Sequence, residues 1–477
     1  MLRDVNHRVS DGLLGFPTTR GDGLSIKIGA SPVEAETPII ITGDMDAAGI
    51  KARLGLSPLA DAVMDSVQAG ANRLFCIPVA ASTPGMVGSI EAEKEGGGSL
   101  TVTGKPSNAF PVIVTITAQG VVNSAAFTVS IDGGYTVSDE ITVPVAGTHE
   151  LSGTGLTLHF AEESGNAQNS FLVGDTYSFQ TTAPAMTNND VLAATQKLRS
   201  FNQPCEFVHI VGGSTSTLWQ TVAAIQLELQ DTYKKPMFFM MEAVMPESDA
   251  DMMDWAFQME DDRRSVRNTD IQVVAAWGRL VKLDGTTQIV NLAGVAAGLY
   301  AKAPVQVSIG KTRPEAGFGI PKTRLLELLP RTMDNTIIRL IDEADYLTFR
   351  DYDGLESFYV YHTQMMSPDG SDYRYAEDVR VKNKIIRETR KEAILLLQDD
   401  IDMENVQGEL EARAKFLLTP LTGMMSRSEI SSATIIVPEG QGATFLQTET
   451  MVIRVRYLSR GYIREIEIDL GRSQPSA

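Results

Sequence analysis

From Ser99 to Pro184 the chain contains one lysine, Lys105, and no arginine, methionine or tryptophan, while threonine, valine, serine and glycine recur throughout. Short alternating runs follow one another, SLTVTG, FPVIVTITA, AAFTVSID, EITVPVAG, LTLHFA and DTYSFQTT, separated by turn signals such as Asp132-Gly133 and Gly153-Thr154. Each alternating run has one apolar face, and evenly spaced short strands without helices bury such faces against a second sheet. The stretch therefore predicts a β-sandwich.

On either side the pattern is different. PIIITG reads as a short buried strand, SPLADAVMDSVQAGA as a helix with Leu59, Val63 and Val67 on one face, and RLFCIPVA as a second strand. Beyond Pro184, NNDVLAATQKLRSF reads as a capped helix, EFVHIVGG as a strand, TLWQTVAAIQLELQDTY as a helix, KPMFFMMEAV as a strand, DADMMDWAFQMEDD as a helix and IQVVAAWGRLV as a strand. Strands and helices in turn imply a mostly parallel sheet covered on both faces. The expected fold class is thus α/β in a mixed α+β chain. An extended arm spans 1–30, a discontinuous α/β core 31–90 and 184–333, the inserted all-β sandwich 91–183, an α+β domain 334–450, and terminal strands 451–477.

With 477 residues, 43% hydrophobic and 21% charged, the chain has ample material for several cores. A formal charge of −19 argues against nucleic acid and anionic membrane surfaces as partners. Cys76 and Cys205 are the only cysteines, each in an apolar strand-like run, so they read as buried thiols rather than a disulfide or a metal cage. The N-terminus lacks an apolar signal core, and the most apolar stretch, Ile289 to Ile309, carries Lys302 and Pro304; a soluble cytosolic product is expected.

The catalytic templates are empty. Gly310-Lys311-Thr312 resembles the end of a phosphate-binding loop, but its first glycine position is Val305, so it reads as a turn. Gly212-Gly213-Ser214-Thr215-Ser216 imitates a nucleophile elbow yet ends in serine. His7, His149, His159, His209 and His362 share no metal-ligand spacing, and His209, on an apolar strand, reads as a hydrogen-bonded core residue. Asp351, Asp353, Asp369 and Asp372 read as a solvated acidic loop rather than a cation site, and the methionines between Met237 and Met259 as core filling.

Two features remain without a catalytic role. A helix from about Tyr375 to Leu397 concentrates Arg380, Lys382, Lys384, Arg387, Arg390 and Lys391 in an otherwise acidic chain, which suits either a solvated face or a docking surface for an acidic partner. At the C-terminus, MVIRVRYL and YIREIEIDL flank the turn Ser459-Arg460-Gly461. Ile453, Val455 and Tyr457 share one face, as do Ile466, Ile468 and Leu470 in the second run, and neither strand is stable without a sheet.

Three segments resemble the contractile tail sheath proteins of phages and related injection machines. WGRLV (277–281) with NLAGVAAGLYAKA (291–303) is similar to the family's Trp-Gly-Arg strand and Ala-Gly-x-Tyr-Ala helix. FYVYHTQMMSPDGSDYRYAEDVRVKNKIIRETRKEAI (358–394) is similar to the segment that opens its C-terminal domain, and MVIRVRYL onward to its closing strands. Where the family continues Arg-Gly-Val-Trp-Lys-Ala-Pro, this chain reads PVQVSIGKTRPEAG.

The resemblance implies a structural subunit without enzymatic activity or cofactor. It would polymerise with many copies of itself in stacked, hexameric rings around an inner tail tube protein, meet baseplate and tail terminator proteins, and contract to drive the tube through a target envelope. It would act in a virion tail or a cytosolically assembled particle made in a bacterial host, without membrane insertion. The sandwich would lie on the outer surface and the 334–450 domain innermost, with Lys382, Lys384, Arg387, Arg390 and Lys391 as tube contacts. Val5, Val9, Leu13, Leu14, Ile453, Val455, Tyr457, Ile466, Ile468 and Leu470 would take part in strand exchange between subunits. A carbohydrate-binding or adhesive protein using the sandwich is the alternative, and an enzyme on the α/β sheet a more distant one.

Overall fold

The computed structural model describes residues 22–472, and the chain divides into two compact units, Met1–Val379 and Arg380–Ala477. The first unit opens with Ser25–Ala30 (β1), Ile39–Thr42 (β2), Ala47–Leu54 (α1), Pro58–Ala69 (α2) and Arg73–Val79 (β3). A sandwich follows, built from Glu91–Glu93 (β4), Ser99–Gly104 (β5), Pro111–Ala118 (β6), Ala126–Ser130 (β7), Ile141–Thr142 (β8), Thr148–Leu151 (β9), Leu156–Ala161 (β10) and Thr176–Gln180 (β11). The chain then resumes with Asn188–Ser200 (α3), Phe207–Ser214 (β12), Ser216–Asp231 (α4), Phe238–Ala243 (β13), Met252–Arg264 (α5) and Ile271–Val274 (β14).

The main sheet has the order β14-β13-β12-β1-β3-β2, parallel except for β2, which pairs antiparallel with β3. β1 is the hinge of the topology, with the insertion-bearing half on one side and the returning half on the other. The sequence reading places residues 1–30 in an arm, but Ser25–Ala30 is a fully buried central strand. Lys27 hides this strand from a polarity argument; its ammonium is tolerated inside because a partner histidine waits on β12.

Helix limits follow local chemistry. α2 starts with Ser57 capping the Ala60 N–H and Pro58 in its first turn, and stops at Gly70 in a left-handed conformation (φ 119°). α3 begins with a capping box between Thr187 and Asp190. Ile26, Ile28, Val208, Ile210 and Phe239 pack with Leu198, Trp219 and Val222 on one face of the sheet.

The remainder of the unit carries Trp277–Val281 (β15), Thr287–Asn291 (β16), Ala293–Lys302 (α6), Ile320–Pro321 (β17), Leu325–Leu329 (β18), Asn335–Glu343 (α7), Phe349–Asp351 (β19) and Ser357–Val360 (β20). Two antiparallel sheets result, β16-β15-β18 and β17-β20-β19. α6 lies against α2 because its glycines remove side chains at the crossing: a Cβ on Gly298 would sit 2.4 Å from the Ser66 carbonyl oxygen. α7 buries Ile337 and Ile341 in the same core as Ile26 and Trp219, and Leu347 bridges to Val274 beside the main sheet. A domain boundary at 334 is therefore too early; residues up to Val379 belong to the first unit.

The sandwich consists of sheets β5-β10-β9 and β4-β11-β6-β7-β8 around Val114, Phe127, Leu158, Phe171 and Tyr177. Its neck is two crossing segments joined by bridges Thr83↔Ala185 and Val87↔Thr181, and it rests on the α/β body through Leu56 and the hydrogen bond from Asn108 to Asp61 (2.7 Å). The outer edge of the main sheet is closed at β2: Pro38 offers no N–H, and the Arg53 guanidinium donates to the Ile40 carbonyl (3.0 Å).

The second unit holds most of Ala376–Ile394 (α8), then Val406–Ala414 (α9), Leu418–Ser426 (α10), Ser432–Ile436 (β21), Phe445–Thr448 (α11) and Arg454–Leu458 (β22). Leu410, Leu417, Leu421, Met424 and Ile430 are buried. β21 and β22 form a two-stranded antiparallel ribbon with Ile435 opposite Val455 and Ala433 opposite Tyr457. The hairpin expected around Ser459-Arg460-Gly461 is absent: β22 spends its paired edge on β21, and 459–472 carries no strand.

Candidate functional site

Burial along α8 falls off toward its C-terminal end. Arg380, Val381, Asn383, Lys384 and Ile385 are buried, Arg387 is half-buried, and Arg390, Lys391 and Ile394 are exposed. Lys384 is 2% exposed, and its ammonium lies 2.8 Å from the Glu429 carboxylate, which Arg427 also contacts. Lys384 is therefore an internal strut of the second unit and not an exposed contact. Lys382 and Arg387 are half-buried and engaged in interactions of their own; Arg390 and Lys391 are exposed, Lys391 pairing with Glu388 at 2.9 Å. Just past the helix, Leu395 and Leu397 are exposed as well.

The terminal ribbon presents a second candidate. Val455 and Tyr457 of β22, with Ile453 just before it, alternate as half-buried residues, as their spacing predicts. Beyond it, Ile463, Ile466, Ile468 and Leu470 are 85, 73, 79 and 92% exposed, and among the described residues no strand pairs with their segment or with the free edges of β21 and β22. Exposed apolar alternation next to open edges is the condition for strand addition. Val5, Val9, Leu13 and Leu14 lie outside the described residues.

A third feature escaped the sequence reading. One register row of the main sheet reads Cys76, Lys27, His209, Met240 and Gln272 across five adjacent strands. Lys27 Nζ lies 2.6 Å from His209 Nδ1, and His209 Nε2 2.9 Å from Glu242 Oε1. Burial lowers the Lys27 pKa to about 8, raises that of Glu242 to about 7, and holds His209 well below its ordinary range. Below the row Lys282 pairs with Asp65, both buried. His209 had been expected as a hydrogen-bonded core residue; the lysine inside SIKIGA was the missed signal. The row is sealed from solvent except for an edge of Glu242, so it holds protons rather than a substrate.

Elsewhere the chemistry is sparse. A cleft of about 810 Å³ between sandwich and α/β body is lined by Pro32, Lys51, Leu56, Lys105 and Glu150, among others, with no aromatic platform for a sugar ring. No group of His, Cys, Asp or Glu among the described residues is arranged to hold a metal ion. Asp351 pairs with Lys322 at 3.0 Å and Asp369 approaches Arg267 at 4.0 Å. Cys76 and Cys205 are free and buried. No helix among the described residues is long and apolar enough to cross a membrane.

Comparison with known proteins identifies the architecture. No curated protein matches the chain. Of the solved structures, the anti-feeding prophage (AFP) baseplate in its contracted state contains a chain that aligns with TM-score 0.52 at 9% identity, covering 99% of this chain and 98% of that one. The contracted PVC sheath complex of an extracellular contractile injection system aligns with TM-score 0.51 at 9% identity and the same coverage. A sheath tail protein of Desulfitobacterium hafniense reaches TM-score 0.49 at 14% identity over 96% of this chain and 100% of that one. The family described as DUF2586 matches through its N-terminal domain over residues 2–362 and its C-terminal domain over 372–477. Matched across nearly its whole length, the chain belongs to the DUF2586 family and carries the fold of contractile sheath proteins.

Proposed function

We propose that the protein is the structural subunit of a contractile sheath, polymerising around an inner tube and shortening to drive that tube through a target envelope. The observation that carries this reading is the likeness to the contracted PVC sheath over 99% of this chain, together with the open-edged C-terminal ribbon and the exposed apolar segment beyond it. Copies in stacked rings, with six as the expected ring number, join by lending terminal strands to open edges of neighbours. Ile453, Val455 and Tyr457 support the donor ribbon, and Ile466, Ile468 and Leu470 form the apolar face that enters the neighbour. The arm residues Val5, Val9, Leu13 and Leu14 serve the same exchange from the other end.

Strand-paired linkers stay hydrogen-bonded while the bodies they join rotate, so the lattice shortens without dissociating. Burying an extra ~200 Å² of apolar surface per copy contributes about 5 kcal/mol before ordering costs, and many copies act together. The inner tube meets the C-terminal end of α8, where Arg390 and Lys391 are exposed, with the half-buried Arg387 and Lys382 earlier on the helix. The sandwich lies outside, and baseplate and terminator proteins cap the ends. The work is mechanical rather than enzymatic.

Two experiments test the reading. Negative-stain microscopy of the purified chain at rising concentration is expected to show rings or tubes; discrete globules at every concentration, with and without the tube protein, refute it. Reversing Arg387, Arg390 and Lys391 to Glu is expected to give sheaths that assemble but stay empty, and normally filled sheaths remove α8 from the tube contact.

A further inference from the structure

The row Lys27–His209–Glu242 crosses three adjacent central strands where the order of the main sheet reverses, and its hydrogen bonds constrain where protons sit. A charged lysine only donates, so with Lys27 as ammonium Nδ1 of His209 must accept, and Nε2–H then donates to Glu242 Oε1. A mirror arrangement satisfies the same atoms. With Lys27 as a neutral amine and Glu242 as a carboxylic acid, Nδ1–H donates to the amine lone pair and the Glu242 O–H donates to Nε2. We propose that the row is a proton relay that passes between these two forms: one ammonium proton moves to Nδ1 while the Nε2 proton moves to Oε1, so that the proton count is unchanged and both hydrogen bonds survive.

The surroundings permit the exchange. Neither Lys27 nor His209 touches water, and burial disfavours the ion pair, bringing the two end groups to within about one pKa unit of each other. The groups facing the row are few. β3 contributes the Cys76 thiol, which burial pushes up to about 12 and keeps neutral. α2 contributes Asp65, already paired with Lys282, and α6 (Ala293–Lys302) contributes no carboxylate. On the far side the Gly212 N–H donates to the Glu242 carboxyl, a bond either protonation form accepts. The device lets the centre of the main sheet shed its internal charge without losing a cross-strand tie. It stands on the hydrogen-bonded geometry and the burial of the row, and survives if the sheath assignment fails.

The test reads the His209 tautomer directly. Protein carrying ¹⁵N-histidine is examined by long-range ¹H–¹⁵N correlation at pH 5.5, 7.5 and 9.5, with His209 assigned by eliminating the other rings through His7→Gln, His149→Gln, His159→Gln and His362→Gln. At pH 5.5 Lys27 is charged and Glu242 neutral, and at pH 9.5 Lys27 is neutral and Glu242 ionised, so Nε2–H is expected at both ends. At pH 7.5 the relay predicts nitrogen shifts displaced toward Nδ1–H. Pure Nε2–H shifts at all three pH values, or an imidazolium at any of them, overturn the relay. The measurement uses the unaltered Lys27, His209 and Glu242, so it does not depend on a core variant folding.

Discussion

Replacing Ile466 and Ile468 by threonine probes the terminal segment while keeping its β-branched character. In the isolated subunit these side chains are 73 and 79% exposed, so the exchange leaves the monomer's own core untouched. Fully burying an isoleucine contributes about 1.5–3 kcal/mol, of which about three quarters is still ungained here; loss of the ethyl arm therefore removes roughly 1–2 kcal/mol per site on assembly. The pair together weakens each subunit contact by about 2–4 kcal/mol, a ~30- to ~1,000-fold rise in the concentration at which polymer appears. Sedimentation of polymer across a concentration series, with the monomer's melting temperature as control, measures both quantities. An unchanged threshold refutes the donated-strand argument. A lowered melting temperature with an unchanged threshold shows that the segment instead folds onto its own subunit.

The remaining predictions concern the interior. Lys282→Met should destabilise the first unit by about 3–5 kcal/mol because it strands the Asp65 carboxylate, and Asp65→Asn in the same chain should restore much of that loss; additive losses in urea titrations contradict the pairing. Gly298→Ala forces α6 away from α2, since its Cβ would meet the Ser66 carbonyl at 2.4 Å, and should lower the melting temperature despite alanine's better helix propensity; a rise would show that the helices part freely. Glu242 titrates near 4.5 unfolded and about 7 folded, so the folded state binds more protons between these values and stability falls as pH climbs through the window, by on the order of 3 kcal/mol. Lys27, displaced from 10.5 to about 8, restores stability as pH rises from about 8 to 10.5. Glu242→Gln should flatten the acidic limb in denaturation curves and, by removing a carboxylate that raises the Lys27 pKa, move the onset of the alkaline one to lower pH.

Particular residues show what the sequence disclosed. The sandwich was legible because its strands alternate against solvent on one face, and α3 because Thr187 and Asp190 sit at capping-box spacing. β1 was not, since a lysine in SIKIGA looks like surface polarity until His209, 182 residues away, supplies its partner. The membership of α7 in the first unit was equally hidden: its Ile337 and Ile341 are packed by residues far upstream, and only tertiary structure reports that. In the candidate site the basic run of α8 was visible, but which lysine turns inward depended on Glu429, 45 positions ahead. Of the two terminal runs expected as strands, the first forms β22 but pairs with β21, and the second carries no strand, because alternation alone does not say which edge, if any, a run pairs with.

Under the sheath proposal, the stoppered rim of the main sheet has a bearing on how a polymer would grow. With proline at one outward position and the Arg53 guanidinium occupying the outward carbonyl of Ile40, an incoming chain finds no ladder to extend at β2, and on the opposite border Leu347 already occupies the place beside Val274. In the proposed sheath, recruitment would thereby be channelled away from the main sheet toward the C-terminal ribbon and the segment beyond it. Release of Ile40 by Arg53→Ala would open a competing route, in which disordered aggregates rather than ordered tubes accumulate.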